Sequence, residues 1–147
     1  MRRLRHGELL SLVAAAGLLV LLGMEWFDGE GSGYGSLGIV LVVLLLALAG
    51  LGIALVVVTV RGRPVAWPVA AAVGLSFFGI LLFPVLLLRM TVFGPGDGEI
   101  QLAGWLGLLA ALLLPLGGWL TMDDERRDAP ESAYEPPPAR PVPGTPS

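Results

Sequence analysis

The chain has 147 residues, 55% of them hydrophobic and 14% charged, with a mean hydropathy of +0.81. Soluble domains carry about 25% charged residues, so this composition excludes an ordinary aqueous fold and points to the lipid bilayer as solvent. The net charge of -3 describes no single surface, because the charges sit between the apolar runs, and the lack of cysteine excludes disulfides, zinc–thiolate sites and thiol catalysis.

The first apolar run, Leu9 to Gly23, is short, and Met24, Trp26 and Phe27 extend it into the interfacial layer, giving a predicted first span over 9–27. Its flank, "MRRLRHGELL", is basic, and His6 adds to that flank. A basic start before an apolar core also fits a cleaved leader, but "MEWFDGE" offers no small-residue pair for a cut, so this segment is expected to stay as a span.

The loop "EWFDGEGSGYGS" follows, mixing acids, aromatics and glycines. Its expected role is contact through Glu25, Trp26, Asp28 and Glu30, with Trp26 and Phe27 anchored at the membrane surface. Glu25, Asp28 and Glu30 lack the spacing of a calcium loop, and no metal or cofactor is expected.

The next spans are predicted over 37–60 and 65–88. About 20 apolar residues cross a core of about 30 Å, so both suffice with some tilt. "RGRP" separates them, because Arg61 and Arg63 at mid-membrane would each cost about 2.5–3.5 kcal/mol. Gly62 and Pro64 make that stretch a tight turn between antiparallel helices. After "GPGDGE", a turn-rich loop, the fourth span is predicted over 101–121, with Trp105 and Trp119 near its ends as an aromatic belt requires. Pro84 and Pro115 lie inside spans and are expected to kink them.

Arginine decides the orientation. One side carries Arg2, Arg3, Arg5, Arg61, Arg63, Arg126, Arg127 and Arg140, and the other carries Arg89 alone, so the first side is expected to be cytoplasmic. These basic residues are explained by topology and anionic lipid, and no nucleic-acid binding is expected. From residue 123 the chain turns polar and rich in proline, with "PPPARPVP" favouring polyproline II, so 123–147 is predicted to be a disordered cytoplasmic tail.

Helices in lipid approach closely through small residues four apart. Candidate rows are Gly50 and Ala54; Ala66, Ala70 and Gly74; and Ala103, Gly107 and Ala111. The middles of the predicted spans lack Asp, Glu, Lys, Arg and His, which argues against intramembrane catalysis and against an ion path through one copy.

The prediction is an all-α membrane protein with four transmembrane helices in an up-down bundle over 1–122, both termini cytoplasmic, in the inner cell membrane. The basic start, the Leu/Ala-rich spans, the loop at "EWFDGE" and the Pro/Arg tail resemble the small uncharacterised four-helix membrane proteins common in high-GC actinobacteria. Arginine at every one of the nine basic positions fits GC-rich codons. That resemblance implies no functional residues. The expected role is non-enzymatic: scaffolding or modulating a membrane-protein partner, or self-association. The alternative is a component of an oligomeric small transporter or channel.

Overall fold

A computed structural model of the chain describes residues 5–61, 66–94 and 99–128, with main chain alone for 125–128. It is built from helices: α1 (His6–Leu22), α2 (Gly33–Ser36), α3 (Ile39–Val60), α4 (Ala66–Thr91) and α5 (Leu102–Asp128). No strand occurs among the described residues, although Glu25 with Ser32 and Phe27 with Ile100 form isolated antiparallel bridges. Helices α3 and α4, and α5 over Leu102–Asp124, are each long and apolar enough to cross a membrane, and α1 is a shorter apolar helix of 17 residues. At 1.5 Å per residue, α1 covers about 25 Å of a core about 30 Å thick.

The first helix departs from the predicted 9–27 at both ends. It starts at His6, where the Glu8 carboxylate turns back to accept the Arg5 backbone N–H at 3.0 Å, half of a capping box that also sets a negative group at the positive end of the helix. It stops at Leu22, where Gly23 and Met24 donate to Val20 O and Leu21 O at 3.0 Å each, closing the last turn tightly. The fourth long helix departs in the other direction. The predicted tail begins at 123, but α5 runs on to Asp128. Met, Glu and Arg in "MDDERRD" are good helix formers, and extending an existing helix avoids a fresh nucleation cost. Of the predicted turn at 61–64 only Arg61 is described; residues 62–64, Arg2, Arg3 and the sequence from 129 onward, Arg140 included, lie outside the described residues.

Each apolar helix packs on two neighbours. α1 lies against α3 and α5, α4 lies against the same two, and the diagonal pair α3 and α5 touch only lightly. The cyclic order is therefore α1, α3, α4, α5. α4 and α5 run unbroken through Pro84 and Pro115.

The interior holds leucines together with small residues, among them Ser11, Ala15, Ala49, Ala72 and Ala111. The outside is apolar as well: Val13, Val20, Ile39, Val40, Phe77, Ile80, Leu102 and Trp119 are each more than half exposed. Large aliphatic side chains turned outward along every long helix would be a grave defect in water and are ordinary in lipid.

Candidate functional site

The region between α1 and α3, predicted as a surface loop, is the most highly constructed part of the molecule. Trp26 is completely buried and Phe27 nearly so. The Trp26 indole N–H donates to Leu21 O at 2.6 Å, giving a second donor to a carbonyl in the last turn of α1 that already accepts Met24 N–H. The ring lies against glycines. A Cβ added at Gly33 would come 2.7 Å from its Nε1, one at Gly107 would overlap the ring, and one at Gly104 would come 3.0 Å from the Trp26 carbonyl oxygen. Trp26 is therefore a plug in a glycine socket, and not the interfacial anchor that its place at the end of an apolar run suggests.

The main chain fastens this plug to α5. Gln101 N–H donates to Trp26 O at 2.8 Å, and Asp28 N–H donates to Glu99 O at 3.0 Å. Gly33 N–H donates to Met24 O at 2.9 Å, folding the loop back on itself. Gly29, at φ 76°, lets the chain reverse so that its N–H reaches the Glu25 carboxylate at 2.9 Å. Glu25, Asp28 and Glu30 are all exposed, as is Glu99, giving the closed loop an acidic rim. Among the described residues, no three or more His, Asp or Glu side chains converge to hold a metal ion. Of the four predicted loop contacts, three point outward and Trp26 points in.

A second constructed feature is the seam between α1 and α5. A Cβ added at Gly7 would lie 2.6 Å from Thr121 N and 2.7 Å from Gly117 O, so backbone meets backbone. Gly117 answers from the other side, where a Cβ would lie 2.8 Å from Gly7 O. Ser11 and Thr121 donate their hydroxyls to Gly7 O and Gly117 O, four residues back on their own helices. That leaves the seam without a hydroxyl in need of a partner. On the far side of α5, the Pro115 ring fills the space a side chain at Gly79 would take, and Ser76 donates to Pro115 O at 3.1 Å. Every buried side-chain nitrogen or oxygen among the described residues is hydrogen-bonded.

Only one predicted small-residue row faces a neighbour. Ala103, Gly107 and Ala111 are buried, whereas Gly50, Ala54, Ala66 and Ala70 face outward, and nothing approaches the Cβ position of Gly50 or Gly74. The working glycines of α3 and α4 are Gly52 and Gly79. Glu8, buried in the α1 cap, and the pair Gly117–Gly118 were not foreseen. The spacing of Gly7 with Ser11 and of Gly117 with Thr121 carries the signal that finds them.

Arg89 is the remaining element. It lies in the last turn of α4, with its guanidinium donating to Phe93 O beyond its own helix and to Ser36 O, at the end of α2, at 2.9 Å. Of the other predicted topology determinants, Arg61 is the exposed C-cap of α3, Arg5 caps α1, and Arg126 and Arg127 lie in the last turns of α5. Compared with known proteins, the chain matches no family model, and no curated protein and no solved structure is significantly similar to it.

Proposed function

We propose that the chain is a multi-pass protein of the cytoplasmic membrane, with α1, α3, α4 and α5 as four spans of an up-down bundle and both termini in the cytoplasm. It works by association with a membrane-protein partner or a second copy, and not by catalysis. The observation that carries this reading is the outward display of aliphatic side chains on all four apolar helices around an interior closed by glycine, serine and proline contacts. α1 is short for a span, but the tightly turned loop above it and the basic residues below extend its reach to both interfaces.

The acidic, closed loop and the Pro/Arg tail are the partner-facing parts in this reading. Its topology is tested by single cysteines, for which the natural absence of cysteine gives a clean background. An impermeant thiol reagent on whole cells should modify Ser32→Cys and spare Gly62→Cys, and the reverse pattern would invert the map. Crosslinking in membranes then tests the association, since removal of 129–147 should change the set of captured neighbours. The transporter alternative predicts solute flux in liposomes holding the purified chain, and the tight interior argues against such a path through one copy.

A further inference from the structure

Between the N-terminal end of α3 and the C-terminal end of α4 lies an open apolar groove of about 300 Å³. Its walls are Leu37, Ile39, Val40, Leu44 and Val85, and Arg89 stands at its head. Ile39, Val40 and Val85 are more than half exposed, so the groove opens sideways, toward the lipid-facing surface of the two helices. The volume is about twice that of an apolar cavity that holds benzene.

The head of the groove is electropositive for two separate reasons. Arg89 presents five donors on a rigid planar fork; two of them are bound to Ser36 O and Phe93 O, which fixes the fork in place. Among the described residues no carboxylate pairs with it. Beside it, α3 begins at Ile39 after the N-cap Gly38, whose φ of 85° breaks the chain from α2, and no side-chain hydrogen bond caps that helix start. The first N–H groups of α3 therefore add their partial positive charge next to the guanidinium.

We infer that this groove is a binding site for one anionic phospholipid, with its phosphate at Arg89 and the start of α3 and an acyl chain along Ile39, Val40 and Val85. The inference rests on the chain being a membrane protein and adds a specific lipid to that reading. A charged head above an apolar, membrane-facing trough matches the two-part chemistry of such a lipid, whereas a free anion would leave the trough empty and a neutral lipid would leave the charge unmatched.

The test is native mass spectrometry of the full chain, extracted in detergent and loaded with equal amounts of phosphatidylglycerol and phosphatidylcholine. The wild type should retain phosphatidylglycerol about fivefold over phosphatidylcholine, the equivalent of about 1 kcal/mol for one basic residue at an anionic headgroup. Arg89→Gln should bring that ratio to about one. Val40→Trp, at an outward position that tolerates bulk, should fill the trough and lower retention of phosphatidylglycerol without unfolding the protein. Equal retention of both lipids by the wild type, a preference that survives Arg89→Gln, or retention unchanged by Val40→Trp would overturn the proposal. So would full displacement of the lipid by inorganic phosphate, which would make this a free-anion site. Recovery of the chain in the supernatant of cells lysed without detergent would instead sink the membrane reading itself.

Discussion

The loop at 24–36 and the α1–α5 seam both depend on glycine, and they use it in opposite ways. In the seam, Gly7 and Gly117 remove side chains so that two backbones touch and small hydroxyls fold back on their own helices. In the loop, Gly33, Gly104 and Gly107 leave a hollow that one indole fills. The seam gains many weak contacts over its length, whereas the loop concentrates its stability in a single large side chain. A seam tolerates a small error badly everywhere, and a socket fails at one residue.

The largest effect is therefore expected from Trp26→Ala, which empties the socket and removes the indole hydrogen bond to Leu21 O; it should cost about 3–5 kcal/mol. Thermal unfolding in detergent would read the loss, and hydrogen exchange should quicken first over 24–36. Next comes Gly117→Ala, where the new methyl meets the Gly7 backbone and Ser11 hydroxyl and has nowhere to go; about 1–3 kcal/mol of overpacking is expected in the same measurement. Ser76→Ala removes one interhelical hydrogen bond to Pro115 O and should cost about 0.6 kcal/mol, the usual value inside a bilayer. Gly50→Ala should go the other way. Nothing approaches its Cβ position, so helix propensity alone acts and the unfolding temperature should rise by the equivalent of about 0.5–1 kcal/mol. If Gly50→Ala were as damaging as Gly117→Ala, the assignment of inner and outer helix faces would be wrong.

The positions of the apolar helices were legible in the sequence, because length and hydropathy alone mark them. Which way each helix faces was legible only in α5. In water the buried stripe of a helix stands out against a polar one, but here both faces are apolar and no periodicity separates them. Gly50 and Ala54 satisfy the small-residue spacing as well as Gly52 does, yet only Gly52 meets a neighbour, in Leu114 and Ala15. Trp26 departs from its expected place at the membrane surface for a related reason. A tryptophan after an apolar run normally marks the membrane surface, and the hollow that draws it inward is made by glycines about 80 residues later, which no local pattern reveals. Arg89 was visible as the lone basic residue of its side. Its bridge to Ser36 O depends on how the end of α2 is set against α4, which the sequence does not encode locally.

The socket for Trp26 also has a bearing on how the molecule is made. Two of its walls, Gly104 and Gly107, belong to α5, which leaves the ribosome about 80 residues after the indole, and the indole itself belongs to the stretch just after α1. Chains are synthesised from the N-terminus, so the tryptophan emerges with no place to lodge and must wait until α5 has inserted. Its burial then marks the docking of α5, and a chain that stops short of α5 or misinserts it would announce itself to quality-control proteases by a bare indole.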